Sequence, residues 1–131
     1  MEDCPFCLPR VEPEIVLADE HCYAMWTGEP PVGSAMVLPR AHRATVFELI
    51  GEEWAATRRL LKRMRAIVAD SYAPDGWNVG WNVDPVGGQS IPHAHCHLLP
   101  RYRDEAYAGR GIRAWIKDVS NRRPAEPVSD G

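Results

Sequence analysis

Three histidines alternate with other residues in "GGQSIPHAHCHLLPRY", residues 87–102: His93, His95 and His97. They are three of only five histidines in 131 residues. In a strand, side chains at i, i+2 and i+4 share a face, with successive Cα atoms about 7 Å apart. Two chemistries suit a row of imidazoles. All three can hold a catalytic metal that keeps water in an open position. Alternatively, one neutral imidazole can attack phosphorus and form a nucleotidyl-histidine that water then resolves. Histidine's ordinary pKa of about 6.5 leaves it mostly neutral and nucleophilic near pH 7. The second chemistry also needs proton donors and backbone amides near the phosphate. Gln89, Ser90 and the Gly87-Gly88 backbone stand just before the histidines.

A second pattern lies at the other end. Cys4 and Cys7 form C-x2-C, a spacing that lets two thiolates take two corners of a tetrahedron. A redox pair is the rival reading, but no thioredoxin-like βαβ pattern follows. Cys22 and Cys96 stand alone and read as small buried hydrophobes.

The elements that must position these groups follow from the pattern of the chain. "EIVLAD" (14–19), "CYAMWT" (22–27) and "SAMVLPR" (34–40) read as strands. A Gly- and Pro-containing loop, 28–33, separates the second from the third. A helical pattern begins near Thr45, an N-cap with Glu48 three places on, and Gly51 divides it into a short and a long helix. Trp54, Leu61, Met64, Val68 and Tyr72, with Leu60 and Ile67 alongside, form its core stripe. "PDG" (74–76) ends it. "WNVGWN" (77–82) and "HAHCHLLPRY" (93–102) read as strands, with Ala94, Cys96 and Leu98 facing the helix. "GIRAWIKDVSNR" is a weak helix near the end. The fold class is α+β: an antiparallel sheet of about five strands with one long helix packed on it. The expected organisation is one domain over 1–123 and a disordered tail over 124–131.

Composition bounds the partners. The chain is 45% hydrophobic and 25% charged, with net charge −3 and a pI near 5.9. No general affinity for nucleic acid polymers or anionic membranes follows from that balance. The cluster Arg58, Arg59, Lys62, Arg63 and Arg65 reads as a solvated helix face. The chain shows no apolar run of membrane-spanning length and no secretory leader pattern, so a cytoplasmic location is expected.

"GGQSIPHAHCHLLPR" resembles the signature of the histidine triad (HIT) family, H-x-H-x-H followed by apolar residues. "MVLPRAH" (36–42) resembles that family's strand-Pro-basic-x-His segment, and "WNVGWN" the strand ending in its substrate-contacting Asn. "YAGRGIRAWIKDVSNRR" (107–123) resembles C-terminal segments of bacterial members. The resemblance implies nucleotidyl transfer or hydrolysis at an α-phosphate. Dinucleoside polyphosphates, nucleoside phosphoramidates and acyl-adenylates are its substrate class. It implies His95 as nucleophile and His97 at the phosphate and leaving group. Asn82, Gln89 and Ser90 match positions that bind phosphate or orient the leaving group. It further implies a structural zinc on Cys4, Cys7, His42 and His93, as in members with an N-terminal C-x2-C. It also implies a homodimer with one sheet continued across two subunits.

The sequence departs from the family pattern at one position. Many members place an Asp about sixteen residues before the histidine that matches His42, where it holds the ribose; here that position is Trp26. Trp26 can stack on a base or fill the pocket floor. Ser34 stands where some members carry a further histidine. Three functions are therefore carried forward. They are a HIT-type nucleotide hydrolase or nucleotidyl transferase, a catalytic-zinc hydrolase using all three histidines, and a nucleotide-binding protein without turnover.

Overall fold

The computed structural model describes residues 3–125, 127 and 128. Parts of both expected boundaries, residues 1–2, 126 and 129–131, lie outside the described residues. The domain limit at 123 is retained as a proposal. Five strands form one antiparallel sheet: β1 (Leu17–Ala18), β2 (Cys22–Trp26), β3 (Ala35–Pro39), β4 (Gly76–Trp81) and β5 (Cys96–Arg101). Their order across the sheet is β1-β2-β3-β5-β4. One helix, α1 (Gly51–Tyr72), crosses one face.

Alternation along the strands splits the core into two layers. Cys22, Ala24, Ala35, Val37 and Leu98 point to α1 and pack with Ala56, Leu60 and Met64. Tyr23, Met36 and Leu38 point the other way. There the N-terminal segment covers them, through Cys4, Phe6, Cys7 and Val11. This second layer is absent from the sequence reading, which gave the sheet a helix on one side only.

Helix α1 is placed by a buried charge. Thr45 and Glu48 close only the preceding 3-10 turn, Val46–Glu48, where the Phe47 N–H donates to the Thr45 hydroxyl. The first turn of α1 is held by Glu53, 3% exposed, whose carboxylate accepts from the Ile50 N–H and from Arg43 Nε. A carboxylate at this end of a helix also meets the positive pole of its dipole. The buried stripe runs through Ala56, Leu60, Met64 and Val68, while Trp54 and Tyr72, expected in the core, remain 49% and 41% exposed. Ala73 ends the helix in the left-handed region, at φ 47°, just before Pro74.

Three expected elements are shorter than their patterns. β1 keeps two residues of 14–19, because Glu12–Glu14 are taken into a 3-10 turn. β5 begins at Cys96 rather than His93, because the N–H groups of His93 and Ala94 donate to Ile91 and Arg43 instead of a neighbouring strand. The expected C-terminal helix is a run of turns ending in a 3-10 turn at Val119–Asn121. Its apolar residues Ile112, Trp115, Ile116 and Val119 are all exposed, so no packed face offsets the cost of helix nucleation. Among the described residues no helix is long and apolar enough to cross a membrane.

Candidate functional site

His97 lies in β5 opposite Met36 of β3 and Gly80 of β4, on the face away from α1. His95 precedes the strand but keeps the same side, its ring centroid 4.9 Å from that of His97. The Nδ1–H of His95 donates to the backbone carbonyl of His93 at 2.8 Å. A carbonyl only accepts, so the proton is fixed on Nδ1 and the lone pair on Nε2.

His93 turns elsewhere. It is fully buried, and its Nε2–H donates to the Pro39 carbonyl at 2.8 Å. That leaves its Nδ1 lone pair facing the N-terminal cysteines, 3.4 Å from Cys4 Sγ and 3.6 Å from Cys7 Sγ. His42 Nδ1 lies 3.2 Å from Cys7 Sγ. The four donor atoms of Cys4, Cys7, His42 and His93 all fall within 4.8 Å of one another, and the group could hold a metal ion. Zn–S near 2.3 Å and Zn–N near 2.0–2.1 Å put S and N about 3.6 Å apart at a tetrahedral angle. The observed separations sit close to that value. Burial and the neighbouring Cys4 push the Cys7 thiol up, the penalty that a coordinated cation removes by taking the thiolate. The triad is therefore divided, and the three histidines do not converge on one ion.

The loop before the histidines is built differently from the expectation. The N–H groups of Gly87 and Gly88 donate to Asp84 and Pro85 within the loop, so they do not face a phosphate. Gln89 is 7% exposed; both its amide donors go to the Ala44 and Ile91 carbonyls, and its oxygen accepts from the Asp84 N–H. Its side chain braces the loop. Ser90 is exposed, and Asn82 lies against Gly88, whose φ of +96° no bulkier residue adopts without strain.

Trp26 does not join the site. It sits on the α1 face of the sheet, edge-on to Tyr72 at 6.2 Å, because it shares strand parity with Cys22 and Ala24. The alternation that puts His97 on one face puts Trp26 on the other.

Two contributors were not read from the sequence. Arg43 pairs with buried Glu53 and gives its carbonyl to the Ala94 N–H at 2.7 Å, tying the start of α1 to the residue between His93 and His95. A charged residue following "PRAH" was the only signal. Phe6, inside the C-x2-C, lies 5.4 Å from the His95 ring centroid. By contrast Cys22 and Cys96 are buried thiols, pushed up to about 11 and about 12 by desolvation, which fits inert packing.

The family model for the HIT domain matches residues 9–104. This chain belongs to the HIT family. It is 33% identical over 92 residues to an uncharacterised HIT-like protein of Synechococcus elongatus, covering 69% of this chain and 80% of that one. It is 32% identical over 79 residues to adenosine 5'-monophosphoramidase of Schizosaccharomyces pombe, covering 60% of this chain and 56% of that one. It is 29% identical over 97 residues to bis(5'-adenosyl)-triphosphatase of Saccharomyces cerevisiae, covering 71% and 46%. Among solved structures, a Streptococcus mutans protein superposes with TM-score 0.72 at 25% identity, covering 81% of this chain and 70% of that one. A HIT family protein from Bacillus anthracis does so with TM-score 0.71 at 26% identity, covering 79% and 76%. The five-stranded antiparallel sheet with one packed helix is the HIT fold.

Burial, with the nearby His95, holds the His97 imidazole below its ordinary value of 6.5, against an opposing pull from Glu29. The unfolded chain therefore binds this proton first. The stability contributed by neutral His97 is present above about pH 6.5 and is lost as pH falls toward the folded value. By NMR, the His97 ring should titrate with a midpoint below 6.5, and Glu29→Gln should lower that midpoint further. An unchanged midpoint in the variant would show that Glu29 exerts no pull on His97.

Proposed function

We propose that this HIT protein acts as a nucleotide hydrolase or nucleotidyl transferase at the α-phosphate of a nucleotide conjugate, through a nucleotidyl-histidine on His95. The observation that carries the reading is the fixed tautomer of His95, with Nδ1–H on the His93 carbonyl and a lone pair on Nε2. The named activities of the Schizosaccharomyces pombe and Saccharomyces cerevisiae relatives, an adenosine 5'-monophosphoramidase and a bis(5'-adenosyl)-triphosphatase, fit the same substrate class.

In the first step the Nε2 lone pair of His95 attacks the α-phosphorus. The bond from phosphorus to the leaving oxygen or nitrogen breaks, and the leaving group takes a proton at His97 or Ser90. In the second, water or another acceptor attacks phosphorus, gives its proton back to the group that protonated the leaving atom, and displaces neutral His95 with its Nε2 lone pair. Asn82 and Ser90 contact phosphate or leaving group. Gln89 serves the same site by holding the loop that presents Ser90.

Cys4, Cys7, His42 and His93 hold a structural zinc in this reading; the donor set is complete at four, which leaves no open position for chemistry. That separates it from a catalytic-zinc hydrolase. We further propose a cytoplasmic homodimer. Its support is the outer strand β4, with Val79 46% exposed beside a cleft of about 390 Å³ lined by Trp54, Leu61, Val79 and Trp81.

His95→Ala should abolish labelling of the protein by an adenosine phosphoramidate and lower kcat about a thousandfold or more, the scale of losing a covalent nucleophile. Unchanged labelling and turnover would sink the covalent mechanism. Metal analysis of the purified chain should give one zinc per chain, and Cys7→Ser should lose it together with thermal stability. Full activity after chelation and the loss of both cysteines would instead favour metal-free packing of the knuckle. Sedimentation should give a dimer at micromolar concentration, and a monomer there refutes the continued sheet.

A further inference from the structure

Phe6, inside the N-terminal knuckle, reaches the reactive histidine. Its ring lies between the two cysteines in sequence, is 8% exposed, and meets two imidazoles edge-on. The centroid separations are 6.0 Å to His93, at 86°, and 5.4 Å to His95, at 63°. Both fall in the range where aromatic edges and faces attract.

The position of Phe6 is fixed from three sides. Cys4 and Cys7 flank it, and the Cys7 N–H donates to the Cys4 carbonyl at 3.3 Å, which closes the turn around it. Both thiols contact His93 Nδ1. The Phe6 carbonyl accepts from the hydroxyl of Tyr23, a fully buried residue of β2. The ring therefore belongs to a rigid unit that is anchored to the sheet and to His93 at once.

Among the described residues the His95 ring makes one hydrogen bond, from Nδ1 to the His93 carbonyl. That bond fixes the tautomer but not the tilt of the ring, which is set by its packing against His97 at 4.9 Å and Phe6 at 5.4 Å. Reaction at phosphorus requires the attacking lone pair to lie in line, and a small misplacement costs about a hundredfold in rate.

We propose that Phe6 is a positioning residue for His95: the C-x2-C knuckle forms one wall of the reactive site and sets the direction of the His95 lone pair, besides tying down the N-terminus. The proposal rests on the reading of His95 as nucleophile. It makes the knuckle part of the apparatus that orients the reactive imidazole.

The experiment compares Phe6→Leu, Phe6→Ala and Val11→Ala in the full chain with an adenosine phosphoramidate. Val11, 1% exposed, belongs to the same packed layer and serves as the control for layer stability alone. Three quantities are read: zinc per chain, kcat and KM separately, and the His95 ring resonances in 15N-labelled protein. Phe6→Leu should keep its zinc and its KM, lower kcat about 10- to 100-fold, and mix the His95 tautomers, read from the 15N shifts of Nδ1 and Nε2. Phe6→Ala should go further in the same direction where it folds. Val11→Ala should lower thermal stability and leave kcat and the His95 signals in place.

If Phe6→Leu retains full kcat and a single Nδ1–H tautomer of His95 while His95→Ala is inactive, the positioning role is overturned and the nucleophile reading stands. A fall in kcat for Val11→Ala equal to that of Phe6→Leu also overturns it, since loosening of the layer then explains both. If instead His95→Ala is fully active, the nucleophile reading fails. The ring resonances of Phe6→Leu then still report whether Phe6 orients His95.

Discussion

The arrangement depends on His93 being usable from three directions at once. Its Nε2–H is spent on Pro39 at the end of β3, its Nδ1 lone pair faces two thiols, and its backbone carbonyl receives His95. Each bond constrains the next. Donation to Pro39 selects the tautomer that leaves Nδ1 basic, which is the form a metal requires. The ring orientation then sets the backbone between His93 and His95, and so the carbonyl that fixes the proton of His95. Burial reinforces the choice: with no solvent exposure, His93 is held below the ordinary histidine range and stays neutral.

A residue so committed must be carried by its surroundings, and those come from distant parts of the chain. Arg43 reaches Glu53 with its guanidinium and Ala94 with its carbonyl, so the first turn of α1 and the histidine segment are fixed by one residue. A buried carboxylate without that partner would carry a large desolvation cost. On the opposite face of the sheet, the N-terminal segment packs on Tyr23, Met36 and Leu38. A small domain gains much from such a second layer, because a single sheet-and-helix interface buries a modest share of the chain. The site lies where the two layers end: His97 is flanked by strand residues, and His95 by the knuckle.

Much of this was legible. Period-two alternation placed β2, β3 and β4 within a residue or so of their observed limits and sent Cys96 and Leu98 toward the helix. The split of Thr45–Tyr72 at Gly51 also matches the short turn and long helix. The differences have separate physical origins. Extending the histidine strand back to His93 assumed that an alternating pattern implies ladder pairing. The N–H groups of His93 and Ala94 had nearer acceptors in the folded chain. The C-terminal segment has helical spacing but no surface to bury, and spacing alone does not offset nucleation. Trp26 was placed by counting from His42, whereas strand parity, also readable from Cys22 and Ala24, puts it on the helix face.

What the sequence alone determined is the chemistry on offer: three histidines in alternation, a C-x2-C knuckle, and a polar loop ahead of them. Residue type and local spacing suffice for that, because the reactivity of imidazole and thiolate is intrinsic and a two-residue period orders side chains within a strand. What only the tertiary structure decided is the set of contacts that holds these groups. The resemblance already implied that His93 goes with the cysteines and His42 while His95 and His97 stay together; the fold supplies the contacts behind that division, turns Gln89 inward and brings Phe6 to rest on His95. These contacts link residues up to 89 positions apart. No local pattern encodes them, because they are fixed by which buried polar groups can satisfy one another once the two layers close on the sheet.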